Sequence, residues 1–136
     1  MVDEMIAGLV NAFQTPYKNV NYIDLHSLSP STIAIFDYIL ENAEFYKLML
    51  NSNILPGFQE KILETIISLL KTDMVFQQNQ ECLNVKIEHF ITYRAYGIFG
   101  LILEWVKSDF EESPIMMAEQ LIQIFNFHTP VVLINK

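Results

Sequence analysis

Residues that could carry catalytic or metal chemistry are few in this sequence and lie far apart. The three histidines are His26, His89 and His128, and the single cysteine is Cys82. A zinc site needs several such ligands converging at about 2 Å, usually from spacings such as H-x-x-x-H or C-x-x-C, and neither spacing occurs. We therefore interpret His89, which follows Glu88, as a structural or surface histidine and predict no metal site.

No motif for covalent catalysis or phosphate binding accompanies these residues. The sequence has no G-x-S-x-G, and its four glycines form no phosphate-binding loop. Nothing near Cys82 supplies a recognisable base, so we interpret it as an incidental thiol. A lone cysteine cannot form an internal disulfide, which suits a reducing cytoplasm. We predict that the chain is not an enzyme and holds no cofactor.

Composition and charge exclude further classes of protein. The 136 residues fit one domain, and the net charge is −8 with Arg94 as the single arginine, so the chain by itself should repel nucleic acid. Hydrophobic residues make up 51 %, an excess that an oligomer, a ligand pocket or both would absorb. The longest apolar stretch, residues 98–103, is too short to span a membrane, and residues 1–13 carry acids rather than a basic signal region. We expect a cytoplasmic protein with no membrane contact.

Aromatic and methionine side chains at helical spacing are the remaining candidates for a site. They would line an apolar small-molecule pocket, although the same pattern more often marks a solid core. With the carboxylates of Glu41 and Glu88 and the tyrosine hydroxyls as the local polar groups, a bound ligand is expected to be mainly apolar and either neutral or cationic. The candidate pocket residues are Phe36, Tyr38, Phe45, Tyr46, Met49, Phe58, Ile62, Ile66, Glu88, Tyr96 and Phe99.

The elements that must position these side chains are helices. Apolar residues recur at i, i+3 and i+4 along most of the chain, which predicts an all-α fold of about six helices. Ser29-Pro30 and Ser113-Pro114 each place a capping residue before a proline suited to a first turn. The predicted helices cover residues 2–13, 30–42, 44–51, 56–71, 85–107 and 114–127. Residues 14–28, 51–53 and 72–84 are predicted connections, and residues 129–136 an extended or frayed tail.

The long segment from Val85 to Lys107 organises the rest, because it is apolar on nearly all sides. One stripe of it carries Ile91, Ile98 and Trp105, and almost opposite lie Gly97 and Gly100. Such a helix is buried all round, and a chain this small cannot wrap it completely. We infer that the stripe faces the chain's own core and that the glycine face meets a second copy. The alternative use of the glycines is a close crossing of two helices within the chain.

Three motifs follow one another at a familiar spacing. They are Y-I-x-E-N-x-x-F-Y over residues 38–46, the two glycines and terminal tryptophan of the long helix, and S-P-x-x-M-A over residues 113–118. In this order, from about residue 29 to residue 127, the chain resembles the C-terminal region of TetR-family transcriptional regulators. The likeness is greatest to the subgroup common in Firmicutes. It gives the pocket interpretation equal standing with the solid core.

The resemblance implies a homodimer whose C-terminal helical domain dimerises and binds a small apolar effector. Residues 2–13 are similar to the helix that connects this domain to an N-terminal DNA-binding domain, which is absent from residues 1–136. DNA would be reached only through that absent domain, and the regulator would be a repressor. The last two helices would pair with their copies as a four-helix bundle. The implied dimer residues are Phe90, Tyr93, Gly97, Gly100, Leu101, Glu104, Met117, Leu121 and Ile124.

Two other functions stay open on the residues alone. The same apolar helices would serve a protein-interaction module that binds a different protein and no small ligand. A cofactor-binding helical bundle is the third option, and a coloured or metal-containing preparation would reveal it.

Overall fold

The structure, a computed structural model, describes residues 1–51, 55–76, 84–127 and 129–135. Within these ranges the chain forms six α-helices, two short 3-10 turns and no strand, which confirms the all-α prediction. The helices are α1 (Val2–Gln14), α2 (Ile35–Glu41), α3 (Ala43–Asn51), α4 (Phe58–Asp73), α5 (Ile87–Lys107) and α6 (Pro114–Asn126). The 3-10 turns are Thr15–Tyr17 and Pro30–Thr32. The predicted breaks at residues 52–53 and 77–83 lie outside the described residues.

The core is arranged around α5. This helix packs against α3 and α4, while α1 packs against α2 and α4, and α6 packs against α2 and the second 3-10 turn. Ile91, Ala95, Ile98, Ile102 and Trp105 all face inward, as the predicted stripe requires. Buried residues from all six helices form one continuous hydrophobic cluster. Burial of this cluster is the dominant stabilising contribution for a chain of this size.

The start of α2 differs from the prediction. Ser29 makes no capping bond to a helix; residues 30–32 form a 3-10 turn, and α2 begins only at Ile35. Thr32 Oγ1 donates to the Ser29 carbonyl at 2.7 Å, and the Ser29 and Ser31 hydroxyls are 2.9 Å apart. Serine and threonine side chains that bond to nearby backbone compete with helix formation. The predicted helix start at Pro30 was therefore wrong by five residues.

The corner between α5 and α6 is fixed by Trp105. Its Nε1 donates to the Glu112 carbonyl at 2.8 Å, and its ring packs edge-on against Phe110 with centroids 4.9 Å apart. The Ser113 hydroxyl accepts a hydrogen bond from the Met116 amide at 3.3 Å, which confirms this predicted helix cap. The corner thereby sets the direction in which α6 returns along the body of the domain.

The Y-I-x-E-N-x-x-F-Y motif attaches α1 to the body of the domain. The Tyr38 and Tyr46 hydroxyls both donate to the Met5 carbonyl, at 3.0 and 3.3 Å. Burial raises the pKa of Tyr46 well above its usual value, so this hydroxyl keeps the proton it donates. Gly8 allows the contact, because a Cβ there would collide with the hydroxyl and ring of Tyr38. Asn42 Nδ2 donates to the Tyr38 carbonyl at 2.9 Å and ends α2.

Candidate ligand cavity and exposed helix face

A cavity of about 820 Å³ lies between α1, the end of α4, α5 and α6. Apolar walls come from Ala12 on α1, Leu70 on α4, Ile98 on α5 and Leu121 on α6, and residues 20–28 border its mouth. Small-molecule sites in proteins commonly have about 300–1,000 Å³ and mainly apolar walls. The cavity is therefore large enough to hold an effector of ordinary size.

The segment that borders the mouth of the cavity is tied to α6. Asn126 Nδ2 donates to the Leu25 carbonyl at 2.7 Å across 101 positions of sequence. Within the segment, Asp24 Oδ1 accepts from the His26 amide at 2.9 Å, which closes a local turn. Tyr22 stays largely exposed at the rim, with 81 % of its surface accessible. A ligand that displaces this segment would therefore pull on the end of α6.

Asp73 lines the cavity and already accepts hydrogen bonds from three neighbouring side chains. It accepts from Tyr17 Oη at 2.7 Å, from Gln14 Nε2 at 2.9 Å and from Thr72 Oγ1 at 3.1 Å. The bonds from Gln14 and Tyr17 hold the pKa of the Asp73 carboxyl below its usual value. Burial, together with the bond to Asp73, raises the pKa of Tyr17. Asp73 thus fastens the first 3-10 turn to the end of α4.

Asp73→Asn is expected to lower stability slightly near neutral pH, by less than about 1 kcal/mol because the carboxylate is exposed. The native pKa lies below the unfolded value of 3.8, so the stabilisation is present above pH 3.8 and is lost as the pH falls through the native pKa. Urea unfolding of both proteins at several pH values should show curves that converge in acid. Glu119→Gln, an exposed carboxylate on α6, is the control. A difference that stayed constant down to acid pH would contradict this account.

Arg94 is the one cationic side chain among the described residues that line the cavity. Its guanidinium carbon lies 4.0 Å from the centroid of the Phe125 ring and 4.9 Å from that of Phe90. Burial lowers its pKa from the usual value, yet a guanidinium stays protonated at neutral pH. Within the described part of the chain, no carboxylate oxygen lies within 4 Å of its nitrogens. From the sequence, Arg94 was considered only for the net charge; its position as the sole arginine, on an apolar helix, was the signal that could have identified it.

The face of α5 opposite the core is exposed. Tyr93 is 82 % accessible, and Gly97 and Glu104 are exposed beside it. No described atom lies within 4 Å of the Cβ that a side chain at Gly97 or Gly100 would add. The alternative that these glycines serve a close crossing of two helices within the chain is therefore not realised among the described residues.

One known protein family matches the sequence of this chain. The family described as "Transcriptional regulator C-terminal region", of the TetR type, matches residues 26–127, three quarters of the chain. The chain belongs to this TetR C-terminal family. No curated protein and no solved structure matches it. The predicted family and fold class are confirmed, and the Firmicutes subgroup stays a prediction.

In this TetR-type C-terminal region, none of the residues predicted to line a pocket lines the large cavity. Seven are buried in the hydrophobic cluster: Phe36, Tyr46, Met49, Phe58, Ile62, Ile66 and Phe99. Tyr38 and Phe45 are partly buried against that cluster, while Glu41, Glu88 and Tyr96 are exposed. Met49 and Phe58 border a smaller depression of about 320 Å³ beside residues 55–60. Helical spacing identifies side chains that face inward, but it does not say whether the interior they face is filled.

The residues predicted for the dimer contact of the TetR-type domain divide into two groups. Tyr93, Gly97, Glu104 and Ile124 are exposed, and Phe90, Gly100 and Leu101 are partly exposed. Met117 and Leu121 are only 6 and 7 % accessible, and Leu121 lines the cavity. The exposed residues of α6 on the side of Ile124 are Met116, Gln120 and Gln123. The dimer contact itself stays a prediction, and on α6 we expect it to use these exposed residues rather than Met117 and Leu121.

Potential metal ligands do not converge in the part of the chain that the structure describes. His26 and His89 are both exposed, and no group of three or more histidine, cysteine or acidic side chains could hold an ion there. Cys82 and His128 lie outside the described residues. Among the described helices of this TetR-type region, none is both long and apolar enough to cross a membrane.

Proposed function

We propose that this chain is the ligand-responsive and dimerisation domain of a TetR-like repressor that acts in the cytoplasm. It has no catalytic role in this proposal. With a net charge of −8, the chain alone does not bind DNA, and a separate N-terminal domain supplies that contact. The observation that carries the proposal is the cavity of about 820 Å³ bordered by both α1 and α6.

The cavity connects the two helices that a regulator of this kind needs to couple. Ala12 and Phe13 bring the end of α1 into its wall, and Leu121 and Phe125 bring in α6. By resemblance, α1 continues toward the DNA-binding domain and α6 belongs to the dimer contact. A ligand shifts an equilibrium only by its different affinities for the two states. The ligand's contacts with α1 and α6 would give it different affinities for the two states.

The hydrogen bonds at Met5 determine how α1 responds to a ligand. Tyr38 and Tyr46 hold the first turns of α1, whereas the cavity touches its last turns at Ala12 and Phe13. A ligand pressing on the far end therefore tilts the helix about the tyrosine contact. Tilting α1 in both subunits changes the separation of the two DNA-binding domains. That separation decides whether they fit two half-sites on DNA.

Ala12→Trp tests the cavity as the ligand site. The indole is expected to fill the space beside Leu70 and to abolish stabilisation by lipophilic compounds, neutral or charged, in a thermal-shift screen. Ligand at a hundred times its dissociation constant should stabilise the unmodified chain by about 2.7 kcal/mol. The matched control is Ala7→Trp on the exposed side of the same helix, which should keep the full shift.

A second blocking variant keeps this test independent of any packing defect at Ala12. Ala34→Phe adds a ring from another wall of the cavity and should also remove binding. Circular dichroism would verify that each variant keeps its helices. Compounds that stabilise both blocked variants as well as the unmodified chain, or a screen in which nothing stabilises the unmodified chain, would contradict the proposal.

A further inference from the structure

The cavity contains a positive charge that no described carboxylate pairs with. Its described lining has one cation, Arg94, and one carboxylate, Asp73. Asp73 already accepts three hydrogen bonds from its own surroundings, whereas the Arg94 guanidinium makes no ion pair or hydrogen bond with a described residue. A partly buried charge is stabilised by an opposite charge at hydrogen-bonding distance. The partner that such a charge requires is an anion, and no residue of the described ranges supplies one.

We propose that the cavity binds an amphipathic anion, an apolar aromatic or aliphatic body with one carboxylate that Arg94 receives. The inference rests on the proposed function, because it assigns a chemical class to the ligand of the same cavity. The carboxylate accepts hydrogen bonds from the guanidinium, and the apolar body packs on Ile98 and Leu121. Neither group changes covalently.

The two phenylalanines prepare Arg94 for this contact. The guanidinium carbon of Arg94 lies over the rings of Phe125 and Phe90, 4.0 and 4.9 Å from their centroids, as in a cation–π contact. The two rings restrict the positions open to the guanidinium, and its N–H groups make no hydrogen bond with a described residue. Two parallel N–H groups can then meet both oxygens of one carboxylate. Little side-chain freedom remains to be lost when the anion binds.

This assignment replaces the neutral or cationic ligand that the sequence predicts. That prediction took the polar groups of the pocket to be tyrosine hydroxyls and the carboxylates of Glu41 and Glu88. Both side chains are exposed, and neither lines the cavity. The negative charge of the chain also makes a partly buried arginine with no acidic partner among the described residues unusual, because acids outnumber basic residues sixteen to eight.

Three naphthalene probes of nearly equal size and different charge test the inference. They are naphthylacetate, naphthylacetamide and naphthylethylamine, titrated by calorimetry into the unmodified chain at low salt. The carboxylate should bind at least about tenfold more tightly than the amide, and the amine most weakly. Decanoate and decanamide repeat the comparison with an aliphatic body.

Arg94→Gln should remove the preference for the carboxylate and leave the affinity for the amide nearly unchanged. Arg94→Lys keeps the charge but loses the two-pronged geometry, so it should recover part of the preference. The matched control is Lys107→Gln, which removes a positive charge from the exposed end of the same helix and should change neither affinity. Circular dichroism and sedimentation of each variant accompany the titrations.

The outcomes separate this inference from the proposed function. Amide and carboxylate that bind equally, and that are both excluded by Ala12→Trp, would overturn the anionic ligand and leave the ligand-responsive domain in place. An Arg94→Gln chain that loses its dimer would also overturn it, because Arg94 would then serve the subunit contact. If no probe binds the unmodified chain, both this inference and the proposed cavity ligand fail.

Discussion

Gly100→Leu and Gly97→Leu are each expected to convert a dimer of this chain into a monomer without unfolding it. Both glycines face away from the core, and a side chain at either position meets no described atom of the same chain within 4 Å. Across a subunit contact, the same leucine would hold the two copies of α5 apart. Helices approach closely only where small residues leave their backbones uncovered.

Helix propensity separates the expected effect of these substitutions on the dimer from their effect on the fold of the single chain. A glycine in a helix interior costs about 1 kcal/mol relative to alanine, and leucine is nearly as good a helix former as alanine. The substitution should therefore stabilise the isolated chain while it destabilises the dimer. Loss of the dimer could not then be attributed to a damaged fold.

Sedimentation velocity combined with thermal unfolding would measure both effects. The control is Ser68→Leu, which adds the same side chain to an exposed position of α4. It should leave the dimer unchanged. An intact dimer in both glycine variants would remove the α5 contact. A monomeric unmodified chain that pairs only with a different protein would favour the interaction module instead.

The sequence predicted α5 well because its two faces differ in residue size. Branched and aromatic side chains such as Ile98 and Trp105 occupy the inward stripe, and the glycines occupy the opposite face. The helix is apolar all round, but only one side of it can fill a core. The same reasoning did not resolve α6, where Met117 and Met116 are adjacent and chemically alike. Met117 is 6 % accessible and Met116 is 41 %, a difference that depends on packing against α2.

The cavity could not be predicted from periodicity because part of its border lacks any period. Residues 20–28 border its mouth as irregular backbone, held by the long-range bond from Asn126 to Leu25. Sequence spacing reports contacts within a helix and is silent about a partner 101 positions away. The motif over residues 38–46 was recognised from its letters, but its role in holding α1 appears only once Met5 and Gly8 are placed beside it.

Gly8→Ala is expected to destabilise the chain, in contrast to what helix propensity predicts for it. Gly8 lies inside α1, where alanine would gain about 1 kcal/mol if nothing else changed. The added methyl would instead meet the Tyr38 ring, which also bonds to the Met5 carbonyl. Overpacking of this kind costs about 1–3 kcal/mol, so the net result should be a loss of up to about 2 kcal/mol.

A double-mutant cycle distinguishes this clash from a general weakness of α1. Tyr38→Ala removes the ring, so adding Gly8→Ala to it should cost nothing and should even recover the helix gain. The matched control is Gly100→Ala in the monomeric Gly97→Leu chain, where the same substitution meets open space and should stabilise by about 1 kcal/mol. Urea unfolding measures all four changes. If Gly8→Ala stabilised the chain as Gly100→Ala does, α1 would not be held at Tyr38. The proposed tilting of α1 about that contact would then be contradicted.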